Sequence, residues 1–229
     1  MAIISICSPK GGVGKATAAT LIATTLAERG AGVIVIDADP NKSVVDWARL
    51  PGVPANLKVL ESTDENEIVR MIDASAAEAD FVIVDLEGRA SPIVGHAIAM
   101  SNFVIVPARG SNLDAKQAAR QMAMIKTQER LTGRAIPFAV LFTCTNPALQ
   151  PKTQRFIEAS FAEAGVPIFS TQLFDREAFR AVFSFGGTLS GLKARRVSNV
   201  QSAIANARAL TDELLHRIKN GNRPVEEAA

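Results

Sequence analysis

The sequence predicts an α/β fold with a doubly wound, mostly parallel sheet and helices on both faces. Three observations predict it. Short apolar runs at Ile3–Ile6, Val33–Ile36, Phe81–Val84, Phe103–Val106 and Phe138–Phe142 alternate with stretches of helical spacing. A glycine-rich loop joins the first run to the first helical stretch. Aspartates close the second and third runs, where the crevice of such a sheet opens. Alternation of this kind implies right-handed crossovers between parallel strands. With 229 residues, 48% of them hydrophobic, the chain has material for one sizeable core. It reads as one domain over residues 1–220 followed by a tail at 221–229.

The first run leads into Pro9-Lys-Gly-Gly-Val-Gly-Lys15, and Ala18, Leu21, Ile22, Thr25 and Leu26 then recur at helical spacing before Gly30. Gly11, Gly12 and Gly14 permit backbone turns closed to other residues. Successive N–H groups can therefore point at phosphate oxygens beside the positive end of the helix, with Lys15 reaching the outer phosphates. The general phosphate-loop pattern fails twice, at Pro9 and at Ala16, where a hydroxyl is expected. Lys10-Gly-Gly-Val-Gly-Lys15 instead resembles the deviant Walker A motif of the ParA/MinD family of P-loop ATPases.

That resemblance implies a nucleotide site for ATP and Mg²⁺ built from Lys10, Gly11, Gly12, Val13, Gly14, Lys15, Ala16 and Thr17. Lys10 would reach across a homodimer to the partner's phosphates, neutralising charge between two facing triphosphates. At Ala16 relatives carry Thr or Ser, whose hydroxyl ligates Mg²⁺. Alanine has no lone pair to offer. One residue of helix turns Thr17 about 100° away, so it suits the α-phosphate rather than the vacant position. Binding is expected to survive and hydrolysis to be impaired.

The second run ends in Asp37-Ala-Asp39-Pro-Asn41, which turn chemistry alone could explain. The family has Asp-x-Asp-Pro-Gln here, which implies that Asp39 positions the attacking water and Asp37 supports the metal's shell, with Asn41 in place of Gln. Ser43–Leu50 reads as a short helix carrying Trp47, and Pro51, Gly52 and Pro54 break any long element up to residue 65. A helix over Asn66–Glu78 precedes the third run, and Asp85 after it is the Walker B carboxylate, set to hold a Mg²⁺-bound water. Gly88 follows where relatives sense the γ-phosphate. Ser91 caps a helix to Met100, and Pro107-Ala-Arg-Gly-Ser-Asn-Leu-Asp114 resembles a family loop near the dimer interface. Leu113–Leu131 is amphipathic. Thr143 and Asn146 fall where relatives contact adenine. Pro151 opens a helix ending near Gly165, and Val166–Ser170 reads as a short edge strand.

Net charge is only +2, yet residues 176–223 hold nine Lys/Arg against three Asp/Glu. Lys193, Arg195 and Arg196 precede a helix with a Val197, Val200, Ile204, Ala207, Leu214 and Ile218 stripe, from which Arg208, Arg217 and Lys219 project. Such a cluster suits either a plain soluble surface or non-specific DNA contact, here assigned to Lys193, Arg195, Arg196 and Arg208. Cys7 and Cys144 read as small buried residues without metal-ligand spacing, unsuited to an iron–sulfur cluster. His96 and His216 are assigned to no metal. No leader pattern and no run of 18 apolar residues is present, and no basic apolar helix ends the chain. A cytoplasmic, nucleoid-associated protein is expected, with no membrane partner. The resemblance implies an ATP-dependent ParA-type dimer that binds DNA non-specifically and segregates plasmid, chromosome or large cytoplasmic cargo with a ParB-like adaptor. Alternatives are a VirC1-like DNA-transfer accessory protein and a nucleotide-binding scaffold with little hydrolysis because of Ala16.

Overall fold

The computed structural model describes residues 1–89, 91–192 and 197–220. Seven strands form one sheet: β1 (Ala2–Ile6), β2 (Val33–Ala38), β3 (Leu57–Glu61), β4 (Phe81–Leu86), β5 (Phe103–Ala108), β6 (Phe138–Thr145) and β7 (Leu173–Phe174). Their order is β3-β2-β4-β1-β5-β6-β7, and every pairing is parallel. Alternate side chains of each strand feed opposite faces. In β1, Ile4 and Ile6 join one apolar cluster while Ile3 joins the other; in β5, Phe103 and Ile105 split from Val104 and Val106 in the same way.

The first cluster is covered by α1 (Lys15–Glu28), α2 (Ser43–Ala48), α7 (Glu177–Phe185) and α8 (Val200–Asn220). The second lies under α3 (Ile68–Glu78), α4 (Pro92–Met100), α5 (Asn112–Thr132) and α6 (Lys152–Glu163). Both faces are buried, which is why the central runs are continuously apolar rather than alternating. The expected doubly wound architecture is present, and the sheet is parallel throughout.

Several elements differ from expectation. Val166–Ser170 forms no strand among the described residues; Ile168 makes a single bridge to Val140, and the edge is the two-residue β7. Strand β3 and helix α7 carry no pattern that the sequence reading assigned to an element. Cys144 is exposed, whereas Cys7 is buried as expected. Burial pushes the Cys7 thiol well above its usual range. Trp47 is core, and its indole Nε1–H donates to the Gly187 carbonyl at 3.1 Å.

Arg217 is a larger correction. It does not project from the helix but lies 2% exposed, donating from Nε and Nη2 to Glu213 Oε1 at 3.0 and 2.8 Å. The Glu213 carboxylate also accepts the N–H groups of Ser170 and Thr171 at 2.8 and 2.7 Å, and the Arg217 guanidinium lies over the Phe169 ring. This pair ties α8 to the segment that leads into β7. Arg208 is exposed on α8, as expected. Lys193, Arg195, Arg196 and the tail at 221–229 lie outside the described residues. Among the described residues no helix is long and apolar enough to cross a membrane.

Candidate nucleotide-binding site

The loop between β1 and α1 lies at the centre of the sheet, because β1 is flanked by β4 and β5. Gly12 (φ 71°) and Gly14 (φ 84°, the residue before α1) adopt the left-handed conformation that a side chain resists. Gly88, after β4, approaches so closely that a Cβ there would lie 3.3 Å from the Gly11 nitrogen. Thr143 at the end of β6 donates its hydroxyl to the Val13 carbonyl at 2.8 Å. The loop is thus closely approached by the chain after β4 and tied to β6 by the Thr143 hydroxyl.

A cleft of about 730 Å³ opens over it, lined by Gly11, Gly12, Gly14, Lys15, Ala16 and Thr17 together with Asp39, Asn41 and Asp85. Val13 is buried and is absent from that lining. The far end of the cleft is formed by Leu173, Phe174, Arg176, Phe179, Arg180 and Phe183. The Arg176 guanidinium stacks on the Phe174 ring, 5.2 Å from its centroid. Sequence reading missed this aromatic end. Its signal was available in Phe174, Phe179 and Phe183, but the site-forming contribution of α7 depends on the placement of β7. Thr143 lines the cleft while bracing the loop, and Asn146 lies in a separate groove rather than in the cleft.

The carboxylates divide their work. Asp37 is fully buried, and its oxygens are occupied: Oδ2 accepts the N–H groups of Val44 and Val45 at 2.9 and 3.0 Å, and Oδ1 that of Asp39 at 3.2 Å. Lys42 precedes α2 in the left-handed conformation without a capping side chain, so Asp37 satisfies that helix start from the strand. Asp37 does not line the cleft. Asp39 Oδ2 lies 3.4 Å from Lys15 Nζ, and its Oδ1 accepts both the backbone and side-chain amides of Asn41. Asn41, the departure from Gln, thus orients Asp39. Asp85 is 1% exposed and lines the cleft, and among the described residues its Oδ1 has no hydrogen-bond partner. Such an orphaned oxygen is the feature expected of a carboxylate awaiting a cation or a cation-bound water. The donor set fits a magnesium–phosphate ligand with one omission, the hydroxyl that Ala16 lacks.

Burial, then the neighbouring Asp37 charge, push the Asp85 carboxyl well above the usual carboxylate range, against the lowering effect of Lys15. Raising a carboxyl's folded-state pKa makes the folded form hold its proton longer, so stability falls as pH rises from the unfolded value toward the folded one. Asp85→Asn is therefore expected to stabilise the ligand-free protein at neutral pH, by about 2–4 °C in Tm for each kcal/mol recovered. Thermal melts at pH 4 and pH 7 check this, with the gain present at pH 7 and shrinking at pH 4.

Lys10 does not line the cleft. Its Nζ bonds Asp114 Oδ1 at 2.7 Å, at the start of α5, while Ser111 donates its hydroxyl to the other Asp114 oxygen. Arg109, to which sequence reading gave no role, lines the cleft and donates from Nη2 to the Gly12 carbonyl.

The family model described as VirC1 protein matches residues 1–219. A Rhizobium radiobacter protein named Protein ParA is 37% identical, the alignment covering 97% of this chain and 100% of that one. The maintenance of carboxysome distribution protein A of Halothiobacillus neapolitanus is 28% identical over 84% of this chain and 88% of its own. Among solved structures, an ATP complex of an aspartate-to-alanine variant of Cyanothece McdA superposes with a TM-score of 0.72 at 18% identity, covering 99% of each chain; it shows the shared fold. With the glycine loop, Lys15, Asp39 and Asp85 in place around one cleft, the match over nearly the whole length means that this chain belongs to the VirC1 family, within the ParA/MinD-type P-loop proteins.

Proposed function

We propose that this protein is an ATP-driven switch of the ParA type, which binds MgATP in the cleft, dimerises in that state and then binds DNA without reading its sequence. The observation that carries the reading is the convergence of the glycine loop, Lys15 and the unpartnered Asp85 oxygen on a single cleft. The loop amides and the start of α1 would hold the phosphates, Lys15 would neutralise them, and the aromatic end with Arg176 would take the base. Mg²⁺, when bound, supplies charge stabilisation for phosphoryl transfer. Asp85 is the carboxylate with an oxygen to spare for it. Asp39, oriented by Asn41, would position the attacking water. Hydrolysis would be slow, since Ala16 offers the metal no ligand.

Dimerisation would move Lys10 from Asp114 to the partner's phosphates, and the positive end of the chain, with Lys193, Arg195, Arg196 and Arg208, would then meet DNA as a paired patch. Hydrolysis, stimulated by a ParB-like adaptor, would release it and so segregate plasmid, chromosome or large cytoplasmic cargo. The ParA relative and the carboxysome-distribution relative support this reading. The VirC1 family match favours a second one, an accessory protein acting at a DNA-transfer origin.

Sedimentation with no nucleotide, ADP and ATP, followed by DNA co-sedimentation, tests the switch. An ATP-specific dimer that retains DNA irrespective of sequence is expected, with Lys15→Ala reducing ATP affinity about 100-fold or more. A monomer in all three conditions would refute the switch, and footprinting confined to one DNA sequence would select the accessory reading.

A further inference from the structure

Three cations surround the glycine loop, and two of them already have an acid. Lys15 pairs with Asp39, and Lys10 with Asp114. The third is Arg109. It follows β5, which pairs directly with β1, so the residue leaving the end of β5 stands beside the loop leaving the end of β1. Its guanidinium lines the cleft, and among the described residues its sole hydrogen-bond partner is the Gly12 carbonyl, with no carboxylate in ion-pair range.

A neutral carbonyl is a weak partner for a guanidinium with five N–H donors. A phosphate oxygen is a better one, because charge-assisted bonds are roughly twice as strong as neutral ones and the planar fork matches phosphate bidentately. Lys15 and Lys10 must each loosen an ion pair to serve a nucleotide, whereas Arg109 gives up only a carbonyl. The chain also lacks the hydroxyl that would help hold a metal at Ala16, which leaves more of the phosphate charge for protein cations to meet.

We propose that Arg109 is a phosphate-binding residue acting within its own subunit: on ATP binding its guanidinium leaves the Gly12 carbonyl and pairs with the outermost phosphate. The assignment rests on the nucleotide reading above and adds to it a group that senses the third phosphate. Gly12 lies upstream of the backbone amides of Gly14 and Lys15, which open the helix and suit the inner phosphates, so a residue held at Gly12 is placed for the phosphate beyond them, which the Lys15 side chain also reaches.

Calorimetric titration of the full chain with ATP and with ADP, in the presence of Mg²⁺, tests this with Arg109→Ala, Arg109→Gln and Arg109→Lys. Arg109→Ala and Arg109→Gln should each lose about 10–100-fold in ATP affinity, the range for a hydrogen bond to a charged group. ADP affinity should change less than about threefold, and Arg109→Lys should recover part of the loss. Glutamine can still donate to the Gly12 carbonyl but carries no charge. Retention of ATP affinity by Arg109→Gln would therefore make Arg109 a brace for the loop and overturn the proposal, as would equal losses for ATP and ADP. Wild-type protein that binds neither nucleotide overturns the nucleotide reading itself, and this assignment with it; wild-type binding with unaffected variants overturns this assignment alone.

Discussion

Replacing Glu213 by alanine is expected to destabilise the protein by about 3–5 kcal/mol, because it leaves the Arg217 charge buried without its carboxylate. Glu213 and Arg217 are 5% and 2% exposed, so water reaches neither. The same change removes the acceptor for the Ser170 and Thr171 amides, and the loss of these part-buried hydrogen bonds adds to the cost. At this chain length the loss corresponds to a Tm lower by about 6–20 °C. Urea denaturation of wild type, Glu213→Ala, Arg217→Met and the double variant Glu213→Met/Arg217→Met measures it. The double variant should lie closer to wild type than Glu213→Ala does, since replacing both residues removes the buried charge together with its carboxylate. The effect should extend to ligand binding. The segment anchored by Glu213 leads into β7, whose Leu173 and Phe174 form part of the aromatic end of the cleft. Glu213→Ala protein, held below its melting temperature, should therefore lose affinity for the base of the nucleotide while keeping affinity for its phosphates.

Ala16→Thr is expected to raise the Mg²⁺-dependent rate of ATP hydrolysis by about 10–100-fold, the range over which single groups around a bound metal alter activity. Ala16 lines the cleft at the first turn of α1, one residue after Lys15, where a hydroxyl would face the same ligand as Asp85. The alanine is only partly buried against the core, so the added methyl and hydroxyl can be accommodated. Ala16→Ser separates the two additions, because it supplies the hydroxyl without the methyl. Phosphate release assays over a Mg²⁺ series should show both variants faster than wild type and half-saturated at lower Mg²⁺. Equal rates in all three would show that the hydroxyl has no role in this chain.

The glycine loop and its strand-to-helix setting were legible because both are local: residue spacing alone determines where the amides and Lys15 lie. Contacts between distant segments were not. Lys10 and Asp114 are 104 residues apart, and nothing in either neighbourhood names the other. Asp37 was identified correctly as a strand-end carboxylate, but its use depends on the left-handed Lys42 bringing the amides of Val44 and Val45 to it. Arg217 was misplaced because helical periodicity tells which residues share a face, not that the face carrying Glu213 and Arg217 is covered by the chain entering β7. The peripheral β3 and the two-residue β7 were missed for a further reason. In β3, Leu57 is buried and Lys58 exposed, so no continuous apolar run marks it, and β7 is too short to show any period.

The contact made by Trp47 also has a practical consequence. It is the only tryptophan in the sequence, and its ring nitrogen reaches the Gly186-Gly187 turn that ends α7, while the helix bearing it starts on the amides held by Asp37. That turn admits no side chain, since a Cβ on Gly186 would lie 2.5 Å from Leu50. The indole therefore links the helix whose start Asp37 holds to the turn after α7, the helix that supplies Phe179 and Phe183 to the cleft. Its fluorescence has a single origin, so the native protein carries an intrinsic optical gauge for relative movement of these two helices, with no dye attached.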